Sequence, residues 1–254
     1  MIPLRRFPES FLVSAIVLSA FHLSAFAESD DEVNFVHDVV PILTKAHCNS
    51  GGCHAKADVG QRGFRLSLLG FEPQEDYEHI VKEARGRRVF PNAPEQSLLL
   101  LKAANVVPHG GGKKLDPESG SYQTLVRWIG QGMPYAGESD PTLASIEIQP
   151  SRKVMEINTT QQLKVMAHYS DGSQRDVTDL ALYEANNKAM AGAGEFGLVE
   201  TSDLPGNVAI MVRYGGQVST FSVSIPLGAP VENLPPTRNF IDEMVFANLQ
   251  EIGV

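Results

Sequence analysis

Two stretches in the first half of the chain place hydrophobic residues at helical spacing. VNFVHDVVPILTKAHC, residues 33–48, and SGSYQTLVRWIGQGMP, residues 119–134, both repeat apolar positions every three or four residues. The second stretch opens with serines that are candidate N-caps and stops at Gly132 and Pro134. The two apolar faces consist of Phe35, Val39, Ile42 and Leu43, then Tyr122, Leu125, Val126 and Ile129. These patterns predict two amphipathic helices.

From about residue 144 the pattern changes to an alternation of period two. QQLKVMAHYSDGSQRDVT and NVAIMVRYGGQVSTFSVSI alternate apolar with polar residues, as half-buried strands do. Asp171-Gly172 and Gly215-Gly216 are dipeptides that favour tight hairpin turns. Short strands at this spacing over residues 144–225 predict a small antiparallel sandwich, separate from the helical first part.

Residues 226–237, PLGAPVENLPPT, are rich in proline and lack periodicity, which is typical of a linker. Residues 238–254 then return to a helical stripe that includes Phe240, Ile241 and Met244. A single amphipathic helix cannot bury such a stripe by itself. We interpret it as the start of a further helical domain, with docking back onto the preceding domains as the alternative.

The N-terminus has the pattern of an export signal. Residues 1–27 combine two arginines, an apolar stretch and the small-x-small sequence Ala25-Phe26-Ala27 before an acidic segment. We interpret them as a cleaved signal peptide, so the mature protein is expected outside the cytoplasm, in the periplasm or at the cell surface. An uncleaved anchor helix is the alternative, and only it would place the protein in a membrane.

Composition limits the classes of partner. The content of 43% hydrophobic and 20% charged residues is that of a folded globular protein. A formal net charge of −9 argues against nucleic acid as a partner and against attachment to anionic lipid by charge. The sequence also offers no nucleophile–base pair or paired carboxylates, so we do not expect this chain to be a hydrolytic enzyme.

Both cysteines of the chain lie in KAHCNSGGCHAK, residues 45–56, and His54 follows the second of them. In a c-type haem site, Cys-x-x-Cys-His directs two thiols and the proximal histidine towards the porphyrin. Here Cys48 and Cys53 are five positions apart, or about 140° apart on a regular helix. Gly51 and Gly52 could let the enlarged loop bulge outwards by adopting conformations closed to other residues.

Two other interpretations of this segment remain open. In an oxidising compartment Cys48 and Cys53 could form a disulfide that closes a small loop. A structural zinc site would need four nitrogen or sulfur ligands, and the two cysteines with His47 or His54 and a distant histidine would be an irregular set. For a haem, the distal candidates are His109 in VVPHGGGKKL and Met133 in GQGMPYAG. Arg85, Arg87 and Arg88 could pair with haem propionates or form a solvated surface.

Residues 34–136 resemble the planctomycete-type cytochrome c domain. The matching segments are VVPILTKAHCNSGGCH, GFRLSLLGF, RRVFPNAPEQSLLLLKA and LVRWIGQGMP. The resemblance implies an all-α cytochrome c-like fold with haem c held covalently by Cys48 and Cys53 and by His54 as proximal ligand. Many relatives carry a Met-Pro-Pro segment before the closing helix, and this chain has Val107-Pro108-His109-Gly110 there. The resemblance therefore favours His109 over Met133 as distal ligand.

Residues 144–225 resemble a bacterial group-2 immunoglobulin-like domain, through VMAHYSDGSQRDVTD, GLVET and GNVAIMVRYGGQVSTFSVSI. NFIDEMVFANLQEIGV resembles the first helix of a further domain in large planctomycete proteins. The resemblance implies that this chain is an N-terminal portion of a longer protein. The predicted fold class is thus an all-α cytochrome c-like domain followed by an all-β immunoglobulin-like sandwich. The expected function is one-electron transfer to a redox partner protein or to downstream domains. The competing hypothesis is a haem-free, disulfide-stapled scaffold that binds a surface partner or polysaccharide.

Overall fold

The computed structural model describes residues 32–55, 63–137 and 139–253. The predicted signal peptide lies outside them. The described residues up to 137 form short helical turns and loops, which we call the helical segment, and residues 143–225 form strands, which we call the sheet segment. The α-helices are α1 (Val40–Lys45), α2 (Pro73–Tyr77), α3 (Leu98–Ala103), α4 (Gly120–Gly130) and α5 (Phe240–Ile252).

Local chemistry sets the ends of the two predicted helices. Asn34 accepts hydrogen bonds from the backbone N–H groups of Val36 and His37, and so caps a π-helical turn, Phe35–Val39, that leads into α1. Ser119 accepts from the N–H of Tyr122 at the start of α4. Both helices direct their apolar faces into one core, in which Trp128 of α4 is fully buried.

Aromatic rings fill the centre of that helical core. Phe35 lies 5.2 Å from Tyr77, 5.4 Å from Trp128 and 5.8 Å from Tyr135, measured between ring centroids. Trp128 donates its indole N–H to the carbonyl of Pro134, 2.9 Å away. The rings therefore hold the first helical turn against α4, although the two are almost 100 residues apart in sequence.

Three sheets make up the sheet segment. Their strand orders are β1-β4-β5, β2-β10-β9-β6 and β3-β8-β7. The longest pairing is antiparallel between β9 and β10, with Tyr214 opposite Gln217 across the predicted Gly215-Gly216 turn. The strands are β1 (Leu143–Gln149), β2 (Arg152–Val154), β3 (Thr160–Gln162), β4 (Lys164–Tyr169), β5 (Gln174–Asp176), β6 (Leu182–Ala185), β7 (Ala191–Ala193), β8 (Leu198–Thr201), β9 (Gly206–Tyr214) and β10 (Gln217–Ile225).

The predicted fold class, an all-α cytochrome c-like domain followed by an all-β immunoglobulin-like sandwich, is wrong. The described residues form a mostly β fold, and they contain no all-α domain. The helical runs before α4 are short, and non-helical residues interrupt two of the turns. Leu69, Ala84 and Arg85 all have positive φ and stop the turns they belong to. Apolar periodicity over one or two turns thus did not indicate a bundle of long helices.

The two segments pack into one compact unit over residues 32–253. Tyr214 of β9 donates its hydroxyl to the carbonyl of His37, 2.8 Å away. Asp38 forms an ion pair with Arg175 at 2.6 Å. Lys45 at the end of α1 donates to the carbonyls of Asp179 and Glu195 in the sheet segment. Polar contacts therefore fix the first helical turns on the sheets.

The helix expected in the last residues forms as α5 and contacts β10. Asn207 donates to Asn248 at 2.9 Å, and Arg152 pairs with Glu251. Phe240 and Met244, in the first half of α5, are each 69% exposed. Among the described helices, none is long and apolar enough to cross a membrane.

Candidate haem-binding site

The cysteine loop is closed by backbone hydrogen bonds at its base. Cys48 donates its N–H to the carbonyl of Leu43 at 2.8 Å, and His54 donates to the carbonyl of Cys48 at 3.0 Å. The chain leaves α1 through His47, which has φ 58°. Gly51 and Gly52 lie exposed at the tip without a positive φ. The expectation that these glycines supply the unusual conformation is therefore wrong, since His47 supplies it.

Both cysteines are free thiols in this loop. Cys48 packs against the helical core. Burial raises the pKa of its thiol to about 11, and the neighbouring Cys53 adds to the rise. The Cys48 thiol is therefore protonated at neutral pH. Cys48 thus lies at the start of the loop, with its side chain against the helical core.

Asn49 anchors the loop from inside and was not identified from the sequence. It is 1% exposed, and its side-chain amide donates to the hydroxyl of Thr44 at 2.9 Å. Its backbone carbonyl accepts from the N–H of Leu69 at 3.0 Å. Asn is so common in exposed turns that its position alone gave no signal of burial.

His54 lies half-buried against Phe64. The ring centroids are 4.6 Å apart, and the Nδ1 of His54 lies 3.2 Å from the carbonyl oxygen of Phe64. A carbonyl oxygen only accepts, so Nδ1 carries the proton and Nε2 keeps a free lone pair. Burial lowers the pKa of His54, and the charges of His109 and Arg88 lower it further. The hydrogen bond to Phe64 raises it, but by less than burial lowers it. His54 is thus held in the neutral form that binds metals.

Arg88 supports His54 indirectly. Its guanidinium lies 4.5 Å from the centroid of the Phe64 ring. The residue is only 5% exposed, forms an ion pair with Glu83 at 2.9 Å and donates to the carbonyl of His79 at 2.7 Å. Arg88 is therefore neither solvated nor free for a propionate, but a buried support for Phe64.

His109 lies on the loop between α3 and α4. Its N–H donates to the side chain of Asn105 at 3.2 Å, and its carbonyl accepts from the N–H of Gly112 at 2.9 Å. Its Nδ1 lies 2.9 Å from the carbonyl oxygen of Gly112. As in His54, this contact places the proton on Nδ1 and leaves Nε2 free. A tight turn of four residues thus fixes both the tautomer and the ring.

The fold brings His54 and His109 together, although 54 residues of sequence separate them. Their ring centroids are 6.2 Å apart, and the ring planes differ by 8°. Two imidazoles bound to one metal at about 2.0–2.1 Å, with each ring centre roughly 1 Å behind its nitrogen, would have centroids about 6 Å apart. The observed spacing matches that of two ligands sharing one metal ion, and it also lies within the range of an ordinary stacked pair of aromatic rings.

Two imidazoles and two thiols are the donor types that a haem c site uses. The porphyrin itself supplies four ligands to iron, so two protein imidazoles complete the coordination, and two nearby thiols can attach the macrocycle. Among the residues with described positions, no group of three or more His, Cys, Asp or Glu side chains could hold a bare metal ion. His54, His109, Cys48 and Cys53 are the residues that would hold haem c.

Met133, the alternative distal candidate, has a different environment. It follows α4 with φ 61°, and its N–H donates to the carbonyl of Trp128 at 2.9 Å. Its carbonyl accepts from the hydroxyl of Tyr77 at 2.8 Å, and its side chain packs against the helical core. The structure places Met133 in this aromatic core and His109 beside His54.

Comparison with known proteins gives no family. No protein-family model and no curated protein matches the chain. Among solved structures, S-layer protein rSbsC(31-844) is similar with 16% identity and a TM-score of 0.31, over 37% of this chain and 14% of that one. SbsC domains 4 and 5 are similar with 14% identity and a TM-score of 0.30, over 34% of this chain and 53% of theirs. The chain thus spans only part of each of these proteins, and the likeness is too low to carry an argument.

Proposed function

We propose that this protein is an exported haem c protein that transfers single electrons. Cys48 and Cys53 would form the thioether bonds, and His54 and His109 would be the proximal and distal ligands. The observation that carries the proposal is the parallel His54–His109 pair, with ring centroids 6.2 Å apart. Its support is independent of the cysteine spacing, because the two histidines approach each other only in the folded chain.

The ligand pair favours electron transfer over catalysis at iron. Bound haem supplies a one-electron couple between ferric and ferrous iron. If His54 and His109 both bound the iron through their free Nε2 atoms, the chain would fill the two positions that the porphyrin leaves, and none would stay open for a substrate. Their Nδ1 atoms donate to backbone carbonyls, which orients both rings and increases the basicity of the ligating nitrogens.

Location and partners follow from the rest of the chain. The signal-like residues 1–27 support export, and we propose the periplasm or the cell surface as the site of action. The electron partner would be a separate redox protein or downstream domains of a longer polypeptide. We propose no nucleic-acid partner, because a net charge of −9 opposes binding to a polyanion.

The test is expression with a cytochrome c maturation system, followed by denaturing gel electrophoresis and haem staining. We expect a stained band that survives acid-acetone extraction and is lost in a variant with both Cys48→Ser and Cys53→Ser. A colourless protein with a mass two hydrogens below the reduced chain would contradict the proposal. That result would favour the haem-free disulfide scaffold.

The distal ligand is tested by spectroscopy of the reduced and oxidised haem protein. We expect His109→Ala to convert the low-spin spectrum to a high-spin one, because it removes a strong-field imidazole. Met133→Leu should leave the spectrum unchanged, and His168→Ala, in β4, is a matched control for loss of a histidine. A change with Met133→Leu and none with His109→Ala would assign the distal position to Met133.

A further inference from the structure

We infer that Gly111 is a positioning residue for the distal ligand: any side chain there would press on the metal-binding edge of His109. The inference rests on the proposed function, because it concerns how firmly His109 would bind iron. It begins from three consecutive glycines, residues 110–112, in the segment VVPHGGGKKL. The structure gives each of them a different environment.

Gly111 lies directly against the imidazole. A Cβ built at Gly111 would be 3.1 Å from Cε1 of His109 and 3.5 Å from Nε2, and 3.2 Å from Cε of Lys114. A carbon contact near 3.1 Å is well inside the optimal 3.5–4.0 Å separation, so the ring would have to move. Cε1 and Nε2 form the edge that carries the free lone pair, and the pressure would therefore fall on the ligating side of the ring.

The neighbouring glycines do not share this constraint. A Cβ at Gly110 would meet nothing within 4 Å. Gly112 has φ +70°, so its requirement for glycine comes from the backbone conformation. Gly111 has no positive φ, and alanine fits its backbone. Only at Gly111 is the requirement one of space beside the histidine.

The ring cannot move aside without loss. Its Nδ1 donates to the carbonyl of Gly112 at 2.9 Å, and the backbone N–H of the same histidine donates to Asn105. Rotation away from a new methyl group would stretch the Nδ1 hydrogen bond and displace Nε2 from its position beside His54. A methyl group at Gly111 therefore weakens distal ligation while leaving the proximal side, built on Phe64, unchanged.

The experiment compares Gly111→Ala with Gly110→Ala in the haem-loaded full chain. Carbon monoxide is the probe, since it binds reduced haem only when His109 leaves the iron. We expect Gly111→Ala to raise the observed binding rate about tenfold, the factor that corresponds to strain of the size of an off-rotamer side chain. Gly110→Ala should stay within about twofold of the parent. Matching circular dichroism spectra would show that both variants keep the fold.

A third variant separates the histidine from the lysine. If the methyl group acts on His109 directly, Gly111→Ala in a Lys114→Ala background will still accelerate carbon monoxide binding. Equal rates for Gly111→Ala and Gly110→Ala, or loss of the effect in the Lys114→Ala background, would overturn the inference while the proposed function stands. A protein without covalent haem, or one whose spectrum ignores His109→Ala, would overturn the inference together with its ligand assignment.

Discussion

Removal of one tyrosine hydroxyl tests whether the helical and sheet segments unfold as one unit. Tyr214 is 2% exposed, and its hydroxyl donates to the carbonyl of His37 at 2.8 Å. The hydroxyl of Tyr169, 3.1 Å away, must then be the donor to Tyr214. Tyr214→Phe leaves the His37 carbonyl without this donor and Tyr169 without its acceptor. An unsatisfied buried group costs about 1–3 kcal/mol, so we expect a loss of that size in the free energy of unfolding.

The chain provides separate probes for the two segments. Trp128 is the sole tryptophan and is fully buried in the helical core, so its fluorescence reports on the helical segment. Far-UV circular dichroism near the strand minimum reports mainly on the sheets. With a urea dependence of about 2–3 kcal/mol per molar, the expected loss lowers the urea midpoint by about 0.3–1.5 M. Both signals should move together.

Tyr183→Phe tests the same cooperativity with a change confined to the sheet segment. The Tyr183 hydroxyl donates to the carbonyl of Thr178 at 2.9 Å, entirely within the sheet segment. In a single cooperative unit, this change must still lower the midpoint seen by Trp128. If circular dichroism shifts in either variant while the Trp128 transition stays in place, the two segments unfold independently and the reasoning from their contacts fails.

Three further predictions concern stability. Gly70→Ala should lower the free energy of unfolding, measured by heat or urea, by more than about 3 kcal/mol, because φ is +78° and the new Cβ would lie 2.2 Å from a side-chain carbon of Val40. Gly63→Ala is the control: φ is +79° but nothing lies within 4 Å, so the free energy of unfolding should fall by only about 1 kcal/mol. Asp76→Ala should cost about 1–3 kcal/mol in urea titration, since it removes the acceptor of two buried hydrogen bonds, and an unchanged midpoint would contradict this. Because burial lowers the pKa of His54, the unfolded chain binds the proton at a higher pH than the folded chain does. The free energy of unfolding of the haem-free protein should therefore fall as pH decreases below about 6.5. His54→Gln should reduce the dependence of that free energy on pH, and an equal dependence in both proteins would refute the assignment of the effect to His54.

Short-range patterns predicted the elements that depend on short-range physics. The apolar stripe of residues 119–134 and its serine cap formed α4, and the alternation after residue 144 formed strands with a turn at Gly215-Gly216. Helix and strand periods are properties of a few neighbouring residues, so one sequence suffices to recognise them. The same patterns did not predict the fold class, since they do not show that Leu69, Ala84 and Arg85 break the helical turns.

The candidate site divides in the same way. Cys48, Cys53 and His54 adjoin one another in the chain, and the motif alone identified them as a group. His109 was one of two candidates that the sequence could not separate by physical argument, because an approach across 54 residues depends on the whole packing of the segment between them. The buried anchor Asn49 likewise has no local signal.

The chain's own pattern of residues was thus enough to identify helical turns, strands, hairpin turns and the paired thiols with their histidine, all of which arise from contacts within a few positions. Only the tertiary structure decided that the helical and sheet segments pack as one unit and that His109, not Met133, faces His54. It also distinguished Gly111 from Gly110, since the space beside an imidazole is created by folding and is not encoded in the identity of the glycine.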